Sequence, residues 1–104
     1  MNIGKALATV RKAKGISQND LARETGLNVS SVSLFERNLR EPKFVTVEKL
    51  SNALGVPTLA VVTLALEEDE RKEIPYMLLS ALDSWAMGIL AGLTHLSEED
   101  VDTA

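Results

Sequence analysis

The 104 residues read as an all-α chain for three reasons. Apolar residues recur three and four apart, as at Ile3, Ala6, Leu7 and Val10, and no strand-like alternation of any length interrupts them. Glycine or proline stands between successive apolar runs, at Gly15, Gly26, Pro42, Gly55, Pro57 and Pro75. Residues suited to a helix N-terminus, Ser17 and Asn28, appear where the next run begins.

The elements follow in order. A first helix from about Ile3 to Lys14 is stopped by Gly15. Ser17 caps the second, with Asp20 three residues on in a capping-box-like pair, and Gly26 ends it after Thr25. Asn28 is expected to cap a third helix with its side-chain carbonyl, and "LREPK" ends that helix, because Pro42 pushes Glu41 towards extended geometry. A fourth runs from about Val45 to Leu54 with Val47, Leu50 and Leu54 inward. Pro57 opens a fifth, "TLAVVTLAL", apolar around its whole circumference, so more than one face should be buried. Glu67 with Arg71 and Glu68 with Lys72 are acid-before-base pairs four apart, which would extend the fifth helix through "EEDERKE". A sixth helix is expected from Pro75 to Ala91, ended by Gly92, with the acidic tail "SEEDVDTA" fraying. The domain division placed on this pattern is a five-helix head, residues 1–66, and a C-terminal helical segment, residues 67–104.

The net charge of −4 conceals an asymmetry. Residues 1–43 hold eight Lys/Arg against four Asp/Glu, and residues 67–104 hold two against ten. A basic half suited to a polyanion is joined to an acidic half with another task. Cysteine is absent, so disulfides and thiolate metal sites are excluded. His95 stands alone, the carboxylates lie in solvated runs, and there is no glycine-rich phosphate cradle. The glycines read as helix punctuation. No enzyme, metal or cofactor is expected. The opening residues carry no secretory pattern, and a cytoplasmic setting is the default.

The third helix poses the functional question. With Val32 and Phe35 inward, its other side offers Ser30, Ser33, Leu34 and Arg37, with Val29 at the leading edge. Only three residues separate it from the second helix, and Ala22 is small enough to let the two pack closely. That is the helix-turn-helix plan, whose second helix enters the major groove with its N-terminal residues nearest the bases.

"ISQNDLARETGLNVSSVSLFERNLREP" followed by "FVTVEKLSNALGVP" resembles the phage repressor/Cro-like helix-turn-helix family, also called the XRE family, over about residues 3–66. The resemblance implies a lambda-repressor-like head and a DNA-binding regulator. It implies that Gln18 touches the DNA backbone and supports base contacts. Val29, Ser30, Ser33 and Leu34 would face bases, with Arg37 beside them. Asn28 would meet the DNA backbone, and Asn38, Arg40 and Lys43, on the loop after the recognition helix, would meet phosphates or the minor groove. Arg11 and Glu36 match a structural pair tying the first helix to the third. Several members carry long amides where this chain has Val29 and Leu34. Aliphatics there favour thymine-methyl contacts or shape readout. Asn38 stands where the family often has glycine, at a left-handed position that asparagine tolerates.

The segment 76–93 is long enough to span a membrane, but Asp83 near its centre and acidic flanks speak against that. It reads instead as a dimer interface, through Leu79, Leu82, Trp85, Ile89 and Leu93, joined by Leu59, Val62 and Leu66 of the fifth helix. Ser84, Gly88 and Gly92 form a small-residue row that permits close approach. The expected partners are double-stranded DNA and a second copy, giving a repressor on a palindromic operator. The alternatives are an antitoxin-like regulator gripping a second protein with its C-terminal helices, and a repressor binding a small apolar effector there.

Overall fold

The computed structural model describes residues 1–103, with side chains described for residues 1–93. Among the described residues there are seven helices and no strand.

α1 (Ile3–Lys14) starts at Asn2, whose Oδ1 accepts from the Lys5 amide at 3.0 Å. Arg11, Lys12 and Lys14 fill its last turn, where cations oppose the negative end of the helix dipole. α2 (Gln18–Thr25) is capped by Ser17 Oγ, which accepts from the Asp20 amide at 3.0 Å. The expected box is only half made, because the Asp20 carboxylate takes Arg23 at 3.2 Å instead. α3 (Val29–Glu36) starts where expected, but the Asn28 side chain does not cap it. The backbone carbonyl of Asn28 accepts from Ser31 and Val32 at 3.0 and 3.2 Å, and the side-chain amide stays exposed.

α3 ends in a Schellman turn. Asn38 adopts φ 59°, its amide donates to the Phe35 carbonyl at 3.0 Å, and the Leu39 amide reaches the Leu34 carbonyl at 2.9 Å. α4 (Phe44–Leu54) begins one residue earlier than its apolar pattern suggests. α5 (Thr58–Ala65) packs against α1, α4 and α7, as its apolar circumference requires, although Leu59 remains 54% exposed. The core enclosed by these helices centres on Leu7, Val10, Leu21, Val32, Leu50, Leu54 and Val61, each at most 2% exposed. Every such side chain contributes about 1.5–3 kcal/mol by leaving water.

The C-terminal third departs from expectation. α5 does not extend through the acidic run. Leu66 turns to extended backbone, and Glu67 caps a separate short helix, α6 (Glu68–Arg71), in a reciprocal capping box with Glu70. The acid–base pairing four residues apart loses because Arg71 turns to Asp83, with Nη1 to Oδ1 at 3.1 Å and a second bond from Nη2 to Oδ2. Glu67 and Glu70 hold the N-terminal amine at 2.8 and 2.7 Å, and the Asn2 amide donates to the Ala65 carbonyl at 2.8 Å.

α7 (Tyr76–Thr103) runs through Gly92, where it was expected to stop. A glycine ends a helix by turning left-handed, as Gly15, Gly26 and Gly55 do here; Gly88 and Gly92 stay helical. The acidic end, expected to fray, is helical to Thr103, and Ala104 lies outside the described residues. Tyr76–Leu93 is long and apolar enough to cross a membrane by length and composition. Its inward side nonetheless packs on the head: Ala86 is 1% exposed, and Ile89, Leu90 and Leu93 lie against the core.

Candidate nucleic-acid interface

The orientation of α3 is set by two devices. The first is Gly4, inside α1. A Cβ there would lie 1.8 Å from the Phe35 carbonyl oxygen, so only glycine lets the two helices approach this closely. Gly4 is therefore a packing glycine and not helix punctuation. Its signal was readable, since a glycine inside a helix costs about 1 kcal/mol against alanine and calls for a reason.

The second device is a polar clamp. Arg11 donates from Nε to Glu36 Oε2 at 2.7 Å and from Nη2 to Oε1 at 2.8 Å. Its remaining nitrogen, Nη1, reaches the Ile16 carbonyl at 2.8 Å. Gln18 Nε2 donates to Glu36 Oε1 at 3.0 Å. One carboxylate thereby joins α1, the start of α2 and the end of α3. The Arg11 and Glu36 side chains are only 10% and 6% exposed, so a bidentate pair with additional bonds is needed to offset desolvation. Burial pushes the Glu36 carboxyl up. Hydrogen bonds from Arg11 and Gln18 and the charges of Arg11 and Lys12 outweigh it, holding the group below its ordinary value of 4.5.

The outer side of α3 is open. Val29 is 42% exposed, Ser30 is exposed, and Ser33 and Leu34 are half-buried. Arg37 lies along the helix, with Nε 3.2 Å from Ser33 Oγ and 3.4 Å from the Ser33 carbonyl. Asn38, Arg40 and Lys43 are exposed on the loop that follows. Arg40 Nη1 reaches Ser31 Oγ at 3.5 Å, which adds Ser31 to the surface; sequence reasoning passed over it. Its position between Ser30 and the inward Val32 was the available signal. The ten residues named for DNA contact thus fall on α3, its two flanking turns and the start of α2.

This surface offers hydroxyls that donate or accept, aliphatic groups matched to thymine methyls, and cations beside them for phosphate oxygens. It presents no paired general acid and base. Among the described residues, no group of three or more His, Asp or Glu could hold a metal ion.

The residues named for contact between chains divide. Leu59 and Trp85 are exposed, at 54% and 39%, and Val62, Leu66, Leu79 and Leu82 are half-buried. Ile89 and Leu93 turn to this chain's own core.

Comparison with known proteins agrees with the geometry. The helix-turn-helix family model matches residues 7–60, which hold α2, α3 and α4 entire. An HTH-type transcriptional regulator of Mycobacterium tuberculosis is 34% identical over 71 residues, 68% of this chain and 28% of that protein. An HTH-type transcriptional regulator of Sinorhizobium fredii is 33% identical over 61 residues, 59% of this chain and 79% of the relative. The immunity repressor protein of Bacillus phage phi105 is 32% identical over 71 residues, 65% of this chain and 49% of that repressor. The chain thus spans about a quarter of the mycobacterial relative and half of the phage one. With the match covering more than half of its length, α2, α3 and α4 included, the chain belongs to the XRE-type helix-turn-helix family.

Proposed function

We propose that this protein is a sequence-specific DNA-binding transcriptional regulator, acting as a homodimeric repressor on a palindromic operator. α3 enters the major groove. Val29, Ser30, Ser33 and Leu34 contact base edges and methyl groups, while Asn28, Asn38, Arg40 and Lys43 meet the backbone. Gln18, fixed by Glu36, stands at the start of α2 to contact phosphate. Arg37 is held by Ser33 at the edge of the reading face and swings to phosphate on docking. The observation that carries this reading is the exposed, nearly uncharged face of α3, locked by the Gly4 contact and the Arg11–Glu36–Gln18 clamp. A surface held this firmly costs little to organise on binding. The repressor role is supported by the phi105 relative, which is named as a repressor.

The experiment is fluorescence anisotropy with a mixed-sequence duplex across a range of salt. Binding should weaken steeply, because each cationic phosphate contact contributes roughly −0.9 to the slope of log K against log salt. Absence of binding at low salt would overturn the reading.

A further inference from the structure

Away from the proposed DNA-facing side, the outward side of α7 is a long exposed apolar feature among the described residues. Ala86 marks the line that faces the head. Half a turn away lie Met77, Ala81, Ser84, Gly88 and Ala91, all exposed and spaced alternately four and three residues apart. Met77 is 84% exposed. The margins of this seam are apolar too: Tyr76 and Met87 border one side, at 82% and 54% exposed, and Leu78 and Trp85 the other, at 54% and 39%. From 76 to 93 the only Asp, Glu, Lys or Arg is Asp83, and it is paired with Arg71.

An exposed apolar strip of this kind is uncommon on a soluble chain. Its width and its alternating spacing suit one helix, as in a coiled-coil seam. The small residues along its midline let a second backbone come close, with larger side chains closing over the margins. Acidic residues follow at both ends, Glu67, Glu68 and Asp69 before the strip and Glu98, Glu99 and Asp100 after it, and these repel anionic lipid. A second α7 matches the strip in length, in lack of charge and in profile. It also supplies the second reading head that a two-fold-symmetric duplex site takes.

We infer that this outward face of α7 packs against the same face of a second copy, as a close two-fold helix pair with Ser84 near its centre. The inference rests on the homodimer reading and moves the contact away from Ile89 and Leu93, which pack against this chain's own core.

The chain has no cysteine, so single thiols can be placed at will. Treated with a short bis-maleimide, Ser84→Cys should become a covalent dimer that still binds duplex DNA. Asn52→Cys, exposed on α4, should stay single. Ala81→Arg should give a monomer by light scattering that keeps the helical circular dichroism of the wild type, with a melting temperature no longer dependent on protein concentration. A wild-type dimer in which Ser84→Cys fails to link and Ala81→Arg remains dimeric would overturn the α7 seam and leave the homodimer standing. A wild-type monomer at every concentration, with and without DNA, would overturn both. Flotation of the monomer with neutral lipid vesicles, or recovery only in complex with a co-expressed different chain, would also overturn the inference.

Discussion

At the residue scale, single atoms decide where α3 points. Replacing Gly4 with alanine places a methyl against the Phe35 carbonyl, and backbone cannot step aside as a flexible side chain can. The expected cost is about 1–3 kcal/mol, as for overpacked cores. Thermal denaturation should show a lower midpoint, and DNA affinity should fall with the displaced helix; an unchanged midpoint would contradict the contact. Glu36 gives a pH signature. Its carboxyl is held below 4.5 in the folded chain, so its stabilisation is present above that value and is lost as pH falls through the lower folded value. Glu36→Gln should lower stability at pH 7 and flatten the acid limb of a stability–pH curve measured by denaturant titration. An acid limb identical to wild type would show that the clamp does not carry it. Lys43 is proposed to meet the DNA backbone, so Lys43→Ala should make the salt slope shallower by about 0.9 and leave sequence preference unchanged.

At the element scale, the proposed function puts the sequence information on α3, so its variants should separate reading from folding. Ser33→Ala or Leu34→Ala should relax discrimination at one or two base positions by about 1–3 kcal/mol without lowering the melting temperature. Competition between preferred and altered duplexes checks this, and wild-type ratios would remove that residue from the reading face. The helices of the head were legible in the sequence because local signals agree there: Ser17, Gly15, Gly26 and Gly55 mark boundaries that packing also favours. The Arg11–Glu36 pair was legible from the family pattern. The C-terminal third was legible only in part: the helix opened by Pro75 forms, but its end and the course of the acidic run were missed, the latter because distant partners override local pairing. Arg71 leaves its expected partner Glu67 for Asp83, twelve residues on, and Gly92 stays helical within α7. Gly4 was misread as punctuation because the demand for it comes from Phe35, far along the chain.

At the scale of the whole molecule, the basic half and the acidic half are not separable units. α7 packs on both α1 and α5, and Ala86 with Ile89, Leu90 and Leu93 completes the head's core. A chain ended after Glu73 should therefore lose on the order of 3 kcal/mol or more, from several apolar side chains returned to water. Calorimetry of the shortened chain checks this, and an unchanged melting temperature would make the head self-sufficient. In the proposed function, the acidic charge of residues 67–104 keeps the C-terminal third away from phosphate and leaves the basic side to DNA. On that proposal, orientation on the duplex follows from charge and register from α3. Selection of bound sequences from a pool of random duplexes tests this account most directly. The predicted result is an enriched inverted repeat with half-sites roughly 10 base pairs apart, centre to centre, or a multiple of that, which Ser33→Ala or Leu34→Ala alters at one or two positions. Recovery of no enriched sequence, or of the same motif when Ser30, Ser33 and Leu34 are all replaced by alanine, would contradict it.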